Sequence, residues 1–316
     1  MTLKVALIAA LALAAGPAAA ERFTADKVLF QDVTGAVEIV TTAAGDEVDV
    51  VIAQGKTHHP IIATLDKNGL LTVKGEKWKE EEIRDCCNER ITRTFHPRQG
   101  REASSGEKLD EDFFADYPTI TVTMPRRGDV AFIDARMKLK MDSIDGKLDL
   151  DACYVYGEAG DAGEAVIGVL SGSRLVAGNI GSGLEIDVSG DADVKVGTAA
   201  SVDVDIAGTG DVVLGDIEGM LDITIAGSGT VRGTRLDGPL MVRIAGSGAV
   251  SVKEGRADRL KAIIDGSGAI FFDGLAIQPD LKLYGSAEVR LGSLSGRLIR
   301  AGGGEVYVAG KLVERK

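Results

Sequence analysis

Seven carboxylates recur at matched positions in the middle of this chain, and they are the first residues with chemistry to offer. Glu185 and Asp187, then Asp203 and Asp205, lie five and three residues before a recurring glycine, and Asp222 follows one unit on. Asp149 and Asp151 hold the same positions lower down, with Ile167 and Val169 read as the interruption between the two groups. On neighbouring strands such side chains stack about 5 Å apart, where like charges repel. A cation relieves that repulsion, so Glu185, Asp187, Asp203, Asp205 and Asp222 form a candidate calcium site. Paired carboxylates are also the equipment of glycoside cleavage. The plain alternative, and the reading preferred here, is a solvated acidic face. No cofactor beyond calcium is implied, and no catalytic residue is assigned.

The remaining chemistry-bearing types are sparse. His58, His59, Cys86, Cys87 and His96 can all bind zinc, yet none stands at C-x-x-C or H-E-x-x-H spacing. No serine sits in a G-x-S-x-G elbow, and no histidine follows His96 to act as its base. The Gly-Ser-Gly turns are followed by strands, whereas phosphate cradles open helices. Three cysteines are too few for a disulfide framework. In an oxidising compartment, Cys153 paired with Cys86 or Cys87 is the expected bridge, with one thiol left over.

The elements that must position these groups come from a repeat. Gly172, Gly190, Gly208, Gly227, Gly246, Gly266, Gly285 and Gly302 recur every 17–20 residues. Aliphatic residues alternate before each glycine, as in Val202/Val204/Ile206 and Leu240/Val242/Ile244, and again after it, as in Val250/Val252. Period-two alternation marks a strand with one buried face. Two such strands joined by a glycine corner cannot close a core alone but do so when stacked. The expected fold is therefore all-β, a right-handed parallel β-helix (β-solenoid) with 17–20-residue rungs. The same template places Val166, Gly168 and Leu170 inward, and in the last unit it turns Ile299 and Ala301 inward through a bulge around Arg300.

Four regions follow. Residues 1–20 read as a signal peptide: Lys4, an apolar run from Val5 to Ala15, then Ala18-Ala19-Ala20 before Glu21. Residues 21–130 hold N-terminal rungs interrupted by a charged insert at about 76–117. Residues 131–310 are the regular β-helix, and residues 311–316 a charged tail expected to blunt one end of it. Export implies a periplasmic or extracellular protein, and no later run is apolar enough for a transmembrane span. Losing Lys4 with the leader takes the formal charge from −12 to −13, which argues against nucleic acid as a partner.

An exported chain of 18–20-residue β-repeats in which Ile-Ala-Gly-Ser-Gly recurs at Ile225–Gly229 and Ile244–Gly248 resembles the auto-transporter adhesin head (GIN) domain family. The resemblance runs from about Phe30 to Val308. It implies an exported bacterial β-helix with no catalytic residues, serving as an adhesin-like binding or scaffold module of the cell envelope. Its partner would be an envelope component, a glycan or a protein. The alternative is a carbohydrate-active β-helix, against which the scarcity of outward aromatics weighs: Phe271, Tyr154, Tyr156, Tyr284 and Tyr307. A filament built by end-to-end stacking is the third reading.

Overall fold

Strand after strand follows the period-two pattern. Between Leu221 and Gly227 the side chains of Leu221, Ile223 and Ile225 are fully buried, while Asp222 and Thr224 between them reach the surface. A computed structural model describes residues 20–57, 59–77, 111–170 and 172–314, apart from the side chains of residues 111 and 112. It is a parallel β-solenoid of about nine turns. Among the described residues no helix is long and apolar enough to cross a membrane.

Two parallel ladders run the length of the regular part. The first joins β9 (Lys147–Ala159), β10 (Glu164–Val169), β12 (Ile180–Gly190), β14 (Ala199–Gly208), β16 (Leu221–Gly227), β18 (Leu240–Gly246), β20 (Leu260–Gly266), β22 (Asp280–Gly285) and β24 (Ile299–Gly302). The second leaves the far half of β9 through β11 (Arg174–Ala177), β13 (Asp193–Val196), β15 (Asp211–Ile217), β17 (Thr230–Asp237), β19 (Ala249–Ala257), β21 (Ala269–Ile277), β23 (Glu288–Ser295) and β25 (Glu305–Val308). A third, shorter segment closes each turn, and its buried residues Ile180, Ala199, Ile217 and Leu236 form a column that the sequence template lacked, with the buried Ala257 and Ala276 paired with each other in the rungs above.

Two glycines are required at each Gly-x-Gly corner, for different reasons. Gly227 has φ +128°, and a Cβ there would lie 2.4 Å from the carbonyl oxygen of Gly208 in the rung below. Gly229 faces the core, where a Cβ would meet Cγ2 of Ile206 at 2.6 Å. Between them the Ser228 amide donates to the Gly208 carbonyl at 2.9 Å, so hydrogen bonding between rungs continues around the corner.

The glycine template fails at two rungs. Val169 pairs with Val188, so Ala165, Ile167 and Val169 point inward, and Val166 and Gly168 hold outward positions. Gly172, with φ +77°, turns its corner one residue later than Gly190 does, and aligning the two shifted the rung by one. In the last rung there is no inward Ile299. Arg300 pairs with the buried Leu281 and takes the inward position, while Ile299 is 53% exposed and Ala301 is also exposed.

The N-terminal strands are not successive rungs. β2 (Lys27–Gln31) and β3 (Thr34–Thr42) stack in parallel on the two halves of β8 (Asp129–Met141), which in turn stacks on β9. From β3 the chain leaves the spiral through β4 (Glu47–Ala53), β5 (Ile62–Leu65) and β6 (Leu70–Lys74), and returns through β7 (Thr119–Pro125). β6 and β7 add an outer rung to β2 and β3. β5 closes the edge of β6 antiparallel, β4 that of β7, and β1 (Ala20–Thr24) that of β4. Phe30 stacks on Phe132 with ring centroids 4.7 Å apart at the base of the core. Residues 1–19, expected to form a leader, and residues 78–110 of the expected charged insert lie outside the described residues.

Candidate functional site

The strand register brings the sequence-predicted carboxylates together on the outer side of the first ladder. Glu185 is opposite Asp203, and Asp203 opposite Asp222. Asp187 is opposite Asp205, and Asp205 opposite Thr224. Below them the columns pass through Val166 and Gly168 to Asp149 and Asp151, so the interruption is by these two and not by Ile167 and Val169, which are buried. Above, Met241 and Arg243 end the acidic run, followed by Lys261 and Ile263.

Neighbouring strands take water away from this stack and like charges repel within it. Partial burial is the first cause holding Asp203 above the usual carboxylate range, and repulsion from Asp205, Asp222 and Glu185 adds to it, while Arg243 opposes. Asp205 is raised for the same first reason, partly offset by a hydrogen bond with Thr224. Asp151, lower on the same face, is raised by burial and then by Asp134 and Asp149. At the adjoining corner Asp32 is raised by burial and by Asp134. Asp32 and Asp134 both adopt positive φ, 54° and 53°, which short polar side chains tolerate.

The stack is a ladder and does not form a cage. Among the described residues no group of three or more His, Cys, Asp or Glu side chains is placed to hold a metal ion. Arg243 Nη1 donates to Asp222 Oδ1 at 3.0 Å and supplies a counter-charge from the protein itself. One open depression of about 200 Å³ includes Glu164, Glu185, Asp203 and Met220 in its lining, and another of about 460 Å³ lies at the N-terminal end beside Asp26, Lys27, Ile133 and Asp149. Neither combines a carboxylate pair with a stacking aromatic.

The zinc-capable residues are only partly described. His58, Cys86, Cys87 and His96 lie outside the described residues. His59 stacks on Tyr117 with centroids 5.5 Å apart. Cys153 is buried and disulfide-bonded, and its partner lies outside the described residues.

The outward aromatics also divide. Tyr154 is buried, because the short 3-10 helix Glu111–Asp116 brings Phe114 to 6.0 Å from it. Phe113, Phe114 and Tyr117 pack on one another there, so the end of the charged insert is anchored on the solenoid by rings. At the other end Arg290 lies between Phe271 and Tyr307, 5.6 and 5.4 Å from their centroids, and pairs with Glu288. That guanidinium occupies the space a sugar ring would need between the two aromatics. The sequence reading missed Arg290, whose alternation two residues after Glu288 was the available signal.

No curated protein matches the chain. A crystal structure of a putative adhesin from Parabacteroides distasonis ATCC 8503 is 12% identical, covering 93% of this chain and 96% of that one, with a TM-score of 0.42. A putative cell adhesion protein from Clostridium sporogenes ATCC 15579 is 9% identical over 92% and 98%, with a TM-score of 0.17. The family described as "Putative auto-transporter adhesin, head GIN domain" matches residues 32–216, which begin just after β2, run through the rungs carrying Asp149 to Asp205 into β15 and stop short of the most regular Gly-Ser-Gly corners. The chain belongs to that family.

Proposed function

We propose that this chain is an exported, non-enzymatic, adhesin-like binding or scaffold module of the cell envelope. The observation that carries this reading is the shape of the acidic region: its carboxylates stand on a flat ladder, in register, with Arg243 as built-in counter-ion. Hydrolysis of a glycoside needs two carboxylates facing each other across the bond, one protonated and one ionised. Side chains that project side by side from adjacent strands meet a ligand from one side only. A large, flat, regularly spaced surface suits recognition of an extended partner, and membership of an adhesin-named family supports the same use. The location goes with it: the residues before Glu21 have the pattern of a cleaved leader, and a periplasmic or extracellular protein keeps the Cys153 disulfide oxidised.

Fractionation of cells producing the full chain tests this reading. The expected result is a mature form beginning at Glu21, outside the inner membrane and open to added protease. A chain retained in the cytoplasm with its leader intact overturns it.

A further inference from the structure

Charge changes sign along the outer face of the first ladder. Between β9 and β16 its two main outward columns hold carboxylates and no cation, ending at Asp222. From β18 upwards the same columns hold Arg243, Lys261 and Lys282, interleaved with Met241 and Ile263, and Asp280 is the one carboxylate among them. Lys261 and Lys282 are exposed, and neither meets a carboxylate within salt-bridge distance among the described residues.

Both ends of the face are apolar and its centre is small. The C-terminal hairpin of β25 and β26 (Lys311–Leu312) supplies carbonyls that hold Arg300 inward, Val313 to Nη1 and Gly304 to Nη2. Ile299 and Ala301 are thereby left in the outward columns, exposed. Seven rungs below, Val166 and Gly168 hold those columns on β10. Beside them, nearer the glycine corners, Ala207, Ala226 and Ala245 stack in register across the middle.

We infer that this face is a two-fold interface for a second, antiparallel copy of the chain, with the axis running along the strands between β16 and β18. That axis sets β14 against β20 of the second copy, β12 against its β22, and β10 against its β24. Asp203 then faces Lys261 of the second copy, Asp187 faces its Lys282, and Val166 faces its exposed Ile299. Asp205 meets Ile263, and the three alanines let the sheets approach closely. Glu185 opposite Asp280 is the one like-charged contact, and Lys261 and Lys282 flank Asp280 on its own chain.

The charge pattern selects this occupant and this orientation, because like charges in contact oppose association. A copy laid face to face in the same direction sets acid on acid. Moving the axis onto β16 or β18 sets Asp222 or Arg243 against itself. The area is sufficient: a face about 20 Å wide and about 38 Å tall buries about 1,500 Å² over both copies, where stable interfaces need about 1,200–2,000 Å². A two-fold contact uses this face on both copies and closes on itself, so the product is a dimer. The second ladder stays open to an envelope partner, and the inference needs neither export nor such a partner to hold.

The test is sedimentation equilibrium of the purified chain from residue 21, over a dilution series at low and high salt, with circular dichroism as the check on fold. The expected result is a reversible doubling of mass as concentration rises, weakened at least tenfold by high salt. Lys282→Glu and Asp187→Lys are each expected to stay single, and an equimolar mixture of the two to regain the dimer. Within one chain these residues stand five rungs, about 24 Å, apart, so only a contact between copies explains recovery on mixing. A parent that stays single at every concentration overturns the inference. So does association that Lys282→Glu leaves unchanged, that mixing fails to restore, or that grows past two copies. Should Asp187→Lys lose the strand spectrum, Ile263→Glu, which faces Asp205 across the axis, takes its place and must abolish the dimer.

Discussion

Arg243 donates from Nη1 to Asp222 Oδ1 across 3.0 Å, one rung up and one column over, at the point where the acidic run of the first ladder ends. Below this pair Glu185 stacks on Asp203 and Asp187 on Asp205, and Arg243 opposes the rise that burial and repulsion give Asp203 and Asp205. The face is thus strained electrostatically in one direction, and its response to pH and to substitution follows.

Asp203 and Asp205 both have their pKa raised on folding, so the native state keeps these protons to higher pH than the unfolded chain does. Their contribution favours folding below the unfolded carboxylate pKa of about 3.9 and is lost as pH rises through the higher folded values. Asp203→Asn is therefore expected to raise the melting temperature at pH 7, with the gain shrinking as the pH is lowered towards 4. Thermal melts at the two pH values check it. With EDTA or millimolar calcium the parent melt is expected to stay unchanged. A calcium-dependent rise that Asp203→Asn with Asp205→Asn abolishes would instead make the stack a cation site.

The corner glycines separate backbone strain from collision. Gly45 has φ +112° with nothing within 4 Å of a Cβ, whereas Gly227 has φ +128° and a Cβ 2.4 Å from the Gly208 carbonyl oxygen. Gly45→Ala is expected to cost about 1 kcal/mol, from the unfavourable φ alone. Gly227→Ala is expected to cost several times that, roughly 3 kcal/mol or more, because the rung below must also move. Urea denaturation of both variants gives the difference, and equal costs would deny the close contact between rungs.

Cys153 is disulfide-bonded, and Cys86 and Cys87 are the only other cysteines in the chain. Peptide mapping without reductant is expected to join the Cys153 peptide to the peptide carrying Cys86 and Cys87, with one thiol free. The bridge closes a loop of about 65 residues, for which chain entropy alone predicts roughly 4 kcal/mol of stabilisation. Cys153→Ser should lower stability by up to that amount and leave the strand spectrum intact. A mapped bridge between two molecules would contradict the assignment.

The regular rungs were legible because each obeys one rule: an aliphatic every second residue, and a glycine where no Cβ fits. Leu221, Ile223 and Ile225 are inward as that rule requires. The rule failed where the corner itself varied, since Gly172 turns one residue late and an alignment on glycine cannot detect that. It failed again at Arg300, because alternation contains no reason for a charge to face inward until a hairpin supplies carbonyls for it. The third column, as at Ile217 and Leu236, was missed since a single apolar residue nine positions after a glycine has no period of its own. Antiparallel closure of the N-terminal end was equally hidden: strand patterns at β4 and β5 do not encode which neighbour they meet. For the acidic face the columns were visible in the sequence, but the Arg243 closure rests on a diagonal contact that only register reveals.

The most direct test of the binding reading is to apply the purified chain from residue 21 to immobilised envelope fractions and a glycan array, and to analyse both what is retained and what is released. The account predicts retention on at least one defined component, with every bound glycan recovered at its starting length. Release of shortened oligosaccharides, or no retention on any fraction, would contradict it.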